Sequence, residues 1–255
     1  MRVISVNVNG IRAAQRKGFF EWMAQQNADV VCIQETKAQE HQLDDALFYP
    51  EGYYSYYFDA EKKGYSGVAI YSRHEPKNVV TGLGWEHVDS EGRWIQVEFD
   101  TLTVASLYLP SGSSSDERHQ NKLVFMDRLL EDMRGMRRKR REFIICGDWN
   151  IVHKEIDIKN FKGNQKNSGC TPDERAWMDR LFGGEGWVDA FREVNQDADE
   201  YTWWSNRGQA WAKNVGWRID YQVVTPGLKA RVTGASIYKD ERFSDHAPLI
   251  IDYDL

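Results

Sequence analysis

The chain has 255 residues, a hydrophobic fraction of 41% with 13% aromatics, and a formal charge of −6. That composition excludes a disordered chain, which would carry fewer aromatics, and suits one globular α/β domain over residues 1–255 with a core of its own. The acidic balance excludes a non-specific DNA packager, which binds by neutralising phosphates, but not a nuclease, whose carboxylates a bound cation would offset.

The first β-like run is Val3–Val8. No long apolar stretch follows Met1, so the N-terminus reads as a strand and not as a secretory leader. A helix is expected over Gly18–Gln26, then strands over Asp29–Gln34 and Val68–Ser72. Trp94–Phe99 alternates, with Trp94, Gln96 and Glu98 set against Ile95, Val97 and Phe99. Thr103–Leu109 is the next run. Ser114-x-x-Glu117 has the form of a capping box. It opens a helix whose apolar stripe is Leu123, Met126, Leu130 and Met133. The run Arg137–Arg141 closes that helix, where cations are favourable, so it reads as a solvated helix end before a DNA contact.

Glu142–Cys146 is a further strand. Thr171-Pro172-Asp173-Glu174 is a second capping box with proline at the first helical position. Its helix carries Trp177, Met178, Leu181 and Phe182 and ends at Gly183-Gly184. Ile219–Thr225, Ala235–Tyr238 and Pro248–Tyr253 complete the strands. Strands dispersed among a few helices suggest sheet packed on sheet with helices outside. Neither glycine-rich nucleotide-binding motif is present, so no nucleotide cofactor is expected. No apolar run approaches the ~18 residues of a membrane span. Cys32, Cys146 and Cys170 are far apart and form no zinc-ligand spacing. They read as reduced thiols of a cytoplasmic protein.

One pattern recurs at the strand ends. Asn7 and Asn9 follow the first run, and Gln34 and Glu35 the second. Tyr108 and Ser111 follow Val104–Leu107, and Asp148 and Asn150 follow Ile144–Cys146. Asp220 follows Ile219, and Asp245-His246 precedes the last run. Singly, such residues are turn formers. Six endings of this kind place oxygen and imidazole groups along a sheet rim, where substrate can reach them. Oxygen donors suit Mg²⁺, and phosphodiester hydrolysis needs a polarised phosphoryl group, an activated water and a stabilised leaving oxygen. Glu35 and Asp245 are candidate ligands, and Asp148 a ligand or general base oriented by Asn150. Asp220 would fix one tautomer of His246, and Tyr108 would donate to a phosphate oxygen.

In its motifs the chain resembles the exonuclease III-type family of AP endonucleases, within the endonuclease/exonuclease/phosphatase superfamily. The resemblance is carried by Ser5–Arg12, Ile33–Lys37, Gly64–Val68, Glu91–Arg93, Tyr108–Gly112, Gly147–Asn150, Gly163–Asn167, Asn214–Tyr221 and Ser244–Pro248. It implies a four-layer α/β sandwich of two mixed sheets with flanking helices. It also implies Mg²⁺- or Mn²⁺-dependent cleavage of double-stranded DNA 5′ to an abasic site, with possible action on blocked 3′ ends, by a monomer. By position, Asn7, Glu35, Asp148, Asn150, Asp245 and His246 would surround the metal, and Tyr108 and Asp220 would complete the catalytic set.

The same resemblance places Trp203, Trp217 and Ile219 at an abasic-sugar pocket, and a sugar without its base flips out at low cost. It places Asn9, Arg12, Lys17, Tyr65, Arg93, Ser111, Arg118, Lys162, Asn164 and Asn167 towards DNA. The chain departs from the family pattern at Val6, commonly Trp, at Ser111, commonly Asn, and at Ala247, often Cys. Some relatives bind without catalysis, but the presence of both Glu35 and the Gly147–Asn150 segment argues for an enzyme.

Overall fold

A computed structural model describes all 255 residues. Fourteen strands form: β1 (Arg2–Asn7), β2 (Val30–Gln34), β3 (Tyr54–Phe58), β4 (Val68–Ser72), β5 (Asn78–Thr81), β6 (Trp94–Glu98), β7 (Leu102–Tyr108), β8 (Glu142–Asp148), β9 (Val188–Asp189), β10 (Trp203–Trp204), β11 (Gly216–Trp217), β12 (Asp220–Val224), β13 (Val232–Ile237) and β14 (Leu249–Tyr253). One six-stranded sheet has the order β13-β14-β1-β2-β4-β3, and a second β5-β6-β7-β8-β12-β9. β10 and β11 form a separate two-stranded ribbon. Each large sheet has a parallel pair at its centre, β1 with β2 and β7 with β8, flanked by antiparallel partners.

Alternation along the strands builds the layers. Val3, Val30 and Cys32 of one sheet and Val104, Ile144 and Cys146 of the other share the apolar layer between the sheets. The intervening residues face outward. Ile4, Val6, Val31 and Ile33 pack against Phe19, Phe20, Trp22 and Met23. Ala105, Leu107, Phe143 and Ile145 pack against Phe125, Met126, Leu129 and Trp177. Helix, sheet, sheet, helix: the expected four-layer sandwich is formed. No helix is long and apolar enough to cross a membrane.

The helices are α1 (Ile11–Gln15), α2 (Phe19–Gln25), α3 (Glu86–Asp89), α4 (Asp116–Arg137), α5 (Phe161–Asn164), α6 (Pro172–Asp179) and α7 (Ala190–Val194). The Thr171 capping box forms at α6, with Thr171 accepting from the Glu174 N–H. The expected box at Ser114 is displaced by one residue. Ser115 caps α4 by accepting the Arg118 N–H at 3.2 Å. A run of three serines offers three caps, and only the backbone entering the helix selects one. Gly147 and Asp148 belong to β8 and do not follow it. A Cβ at Gly147 would lie 2.2 Å from the Leu107 carbonyl oxygen, so no side chain fits at that close approach of β7. Cys32, Cys146 and Cys170 are all buried and free.

Candidate active site

Parallel pairing sets Asn7 level with Gln34, so Glu35 emerges beside it. The same geometry sets Tyr108 level with Asp148 in the other sheet. β12 runs in the opposite sense and starts at that rim, with Asp220 against Asp148. Asn7, Tyr108, Asp148 and Asp220 share the side-chain parity of inward-facing Val3, Val104, Ile144 and Val224, so they point between the sheets. A buried polar layer lies beneath them. Gln34 donates to the Ser106 hydroxyl at 2.9 Å, and Ser106 donates to the Ile33 carbonyl at 2.8 Å. Gln222 donates to the Val3 carbonyl at 2.9 Å. These bonds staple the two sheets directly below the site.

Asn7 joins the two halves. Its Nδ2 donates to Glu35 Oε1 at 2.8 Å and to Asp148 Oδ2 at 2.9 Å, while its oxygen accepts the Asn9 N–H at 2.9 Å. In this geometry Asn7 positions the two acids, and its oxygen is turned away from them. Asn9, Glu35 and Asn150 hold φ of 46°, 52° and 53°. Side chains rarely adopt such left-handed backbone, and strain of this kind gathers at functional sites. Asn150 donates its N–H to Asp148 Oδ1 at 2.9 Å and its Nδ2 to the Leu109 carbonyl at 2.8 Å.

Charge is dense here. Burial pushes the Glu35 carboxyl up, but the Lys37 ammonium, 2.8 Å from Oε2, and the Asn7 bond outweigh it and hold the group below its ordinary value. Burial also opposes ionisation of Asp245, and His246, Trp203 and Asn9 outweigh it. Burial raises Asp148 to about 8; the neighbouring imidazole opposes, and Asp220 and Glu35 add to the rise. His246 Nδ1 lies 2.9 Å from Asp220 Oδ2, and Nε2 lies 3.8 Å from Asp148 Oδ2. Burial alone would lower the imidazole, but those two carboxylates raise it to about 10. Tyr108 is driven well above its usual value by burial and by Glu35 and Asp148, so its phenol stays a donor.

The donor set fits a divalent cation. Glu35, Asp148 and Asp245 are oxygen donors facing one cleft of about 650 Å³, as hard cations require. Burial is the main cause of the rise at Asp148, with Asp220 and Glu35 adding to it, and a cation beside the carboxylate would oppose all three. Asp148, Asp220 and His246 also bring donor atoms within 4.8 Å of one another. Asp220, however, is fully enclosed and engaged with His246, so it serves as the holder of the imidazole.

The cleft has two walls. One is aromatic: Trp203 and Trp217 face each other across the ribbon, edge to face at 5.9 Å, with Ile219 beside them. Trp203 Nε1 also donates to Asp245 Oδ2 at 3.1 Å. Its neighbour Trp204 turns into the core. The other wall is hydroxylic, running from Ser111 to Ser115 and including Asn167.

The remaining expected DNA-facing residues divide. A second groove of about 870 Å³ adjoins the first at Tyr108 and Ser111 and holds Tyr65 and Arg118. Lys17 and Asn9 lie in a small hollow on the Asp245 side. Arg12 on α1 and Lys162 on α5 are exposed away from these hollows, and the Asn164 side chain donates to the Asn160 carbonyl and accepts from Asn167. Arg93 also lines that second groove, but mostly from beneath its surface. Arg93 is only 3% exposed, bonds Tyr65, Glu91 and the Tyr108 carbonyl, and lies 4.9 Å from the Tyr108 ring. It braces two tyrosines from below.

Three residues have roles at the site that the sequence reading does not assign. Lys37, inside the Ile33–Lys37 segment, bonds both Glu35 and Asn9. Lys122 and Glu174 form a fully buried ion pair under the hydroxylic wall. The available signal was a lysine on the buried stripe of α4 with Met126, Leu129 and Met133.

The loop carrying the aromatic wall is anchored by charge. Arg218 is fully buried and bonds Asp157 at 2.8 Å and Asp189 at 2.7 Å. Burial opposes ionisation of Asp157, but Arg218 and Arg192 outweigh it and pull the group down to about 2. A depressed folded pKa stabilises above the unfolded value of about 3.9, an effect lost as pH falls through the folded one; the order of magnitude is ~2 kcal/mol. Urea unfolding from pH 5 to pH 2 is expected to lose this increment in the wild type and not in Asp157→Asn. Parallel pH profiles for the two proteins would rule the linkage out.

A four-layer sandwich gathering carboxylates, a carboxylate-held imidazole and an aromatic-walled cleft at one rim defines a hydrolytic nuclease. The sequence profile of the Endonuclease/Exonuclease/phosphatase family matches residues 4–246. The chain is 43% identical over 251 residues to an exodeoxyribonuclease of Bacillus subtilis (strain 168), covering 98% of each protein. It is 38% identical over 254 residues to the DNA repair nuclease APEX1 of Danio rerio, covering 98% of this chain and 81% of that one. The structure of an AP endonuclease from Archaeoglobus fulgidus matches it with a TM-score of 0.90 at 29% identity, over 100% of both chains. The chain belongs to the Endonuclease/Exonuclease/phosphatase family, in its exonuclease III-type AP endonuclease branch.

Proposed function

We propose that this nuclease repairs DNA by hydrolysing the phosphodiester 5′ to an abasic site in a duplex, leaving a 3′-hydroxyl, and that it also trims blocked 3′ ends. The observation that carries the reading is the junction of Asp148, Glu35 and the His246–Asp220 pair beside a wall of Trp203, Trp217 and Ile219. A baseless sugar is small and apolar enough to turn into such a wall, whereas a stacked nucleotide is held in the helix.

Mg²⁺ or Mn²⁺ is assigned to Glu35, with Asp148, Asn150 and Asp245 nearby, and supplies Lewis-acid polarisation of a phosphoryl oxygen. Asp148 takes the proton of the attacking water, held in place by the N–H groups of Asn7 and Asn150. His246, kept cationic by Asp220, presents its Nε2 side to the phosphate. Tyr108 donates its phenolic hydrogen to a phosphate or leaving oxygen. The buried, unpaired cysteines support a cytoplasmic enzyme, and a monomer is the simplest state consistent with one self-contained site.

The test is incision of a duplex carrying one abasic-site analogue, with Mg²⁺ and with chelator. Incision on the 5′ side, abolished by chelation and restored by added Mg²⁺, is the expected result. Cleavage of a small phosphoester with no incision of the duplex would sink the proposal.

A further inference from the structure

Under the hydroxylic wall lies an ion pair that the reaction does not touch. Lys122 of α4 and Glu174 of α6 are both fully buried, with Nζ 2.5 Å from Oε1. Such pairs are weak evidence for stability, since desolvation of both charges offsets their attraction. The α6 cap does not explain the pair either. Glu174 Oε2 alone takes the Gly169 N–H at 2.7 Å, the Thr171 N–H at 3.1 Å and the Thr171 hydroxyl at 2.8 Å. That leaves Oε1 to face Lys122, with the Ser168 hydroxyl 3.3 Å away.

The outlet of the pair is towards the site. Lys122 Nζ donates to the Asn150 carbonyl at 2.7 Å and to the Ser111 carbonyl at 3.3 Å. Ser168, next to the cap, donates to the same Ser111 carbonyl at 2.7 Å. Asn150 is one of the left-handed residues, and its N–H holds Asp148 Oδ1. Strained backbone persists only where its surroundings over-determine it.

We infer that the Lys122–Glu174 pair is a second positioning device of the active site, beside Asn7: it clamps the Asn150 turn and the Ser111 wall in one register, and through Asn150 it fixes the aim of Asp148. The inference rests on the catalytic reading above. Lys122 touches neither substrate nor metal and acts only through the backbone it holds. Removing either charge therefore costs the chemical step far more than substrate binding, to which the Ser111 wall is one contact among several.

The experiment measures single-turnover incision of the abasic duplex, KM and thermal unfolding for wild type, Lys122→Met, Glu174→Gln and the double variant. Small misplacements of reacting groups cost about 10²-fold. A fall of that order in kcat per folded molecule, with KM within about threefold, is the expected result for each single variant. The double variant is expected to be no slower than the worse single one, because the two act as one unit. Glu174→Gln keeps the side-chain volume and an oxygen for the cap, and carries the test by itself should Lys122→Met not fold. Variants that melt earlier but retain kcat per folded molecule within about twofold would overturn the inference and make the pair structural. A wild type that does not incise would instead overturn the catalytic reading, so the two failures are separable.

Discussion

In Asp148→Asn, incision of an abasic duplex falls by about 10²–10⁴-fold while the duplex is still bound, the usual loss when an essential general base is removed. The substitution keeps the shape of the side chain and its place opposite Asp220. It also keeps an oxygen to accept from either Asn7 or Asn150. What it removes is the capacity to take a proton, and one negative charge from a pocket that already carries Glu35 and Asp220. Single-turnover rates beside equilibrium binding separate the two effects. Turnover within about tenfold of the wild type would exclude Asp148 as the base.

Glu35→Gln acts on the other half of the site. Glu35 is held ionised by Lys37 and Asn7 against its burial, and it enters the cleft from the opposite sheet. Loss of its charge would leave a bound cation with fewer anionic donors and would leave Lys37 with Asn9 but no anionic partner. The expected result is a rise of about 10–100-fold in the Mg²⁺ concentration giving half-maximal incision, the range seen when the supports of a metal site are lost. Mn²⁺ binding followed by calorimetry should weaken in parallel. An unchanged Mg²⁺ requirement would move the cation away from Glu35, towards Asp148 and Asp245.

Much of this site is legible in the sequence for a simple reason. Three of its residues close apolar strands and a fourth, Asp220, opens one, with parity fixed by Val3, Val104, Ile144 and Val224, so the end of each run states both the rim and the face. What the sequence conceals are the features decided by partners far along the chain. β3, Tyr54–Phe58, is an edge strand with an unbroken run of half-exposed residues and no alternation to read. β10 and β11 are two residues each and exist only because Trp203 and Trp217 meet. Arg93 reads as a surface arginine in sequence, and only the fold shows Tyr65 and Tyr108 packed around it. The pairing of Lys122 with Glu174 joins two helices that share no motif. In each case the deciding term is tertiary packing or charge pairing, which carries no local signature.

The position of β1 has a consequence for how the nuclease is made. Residues 2–7 form an inner strand only because β14 pairs with them, Arg2 opposite Asp252, with the Met1 ammonium 2.7 Å from the Tyr253 carbonyl. At about 5–20 residues per second, ribosomal synthesis leaves on the order of ten to fifty seconds between Asn7 and His246. Throughout that interval β1 has an open edge, which invites pairing with other chains. The His246 that completes the site arrives only with the strand that closes this edge. A nascent or prematurely terminated polypeptide therefore carries Glu35 and Asp148 without an assembled centre, and nuclease activity is switched on only when synthesis has delivered partners to both edges of β1.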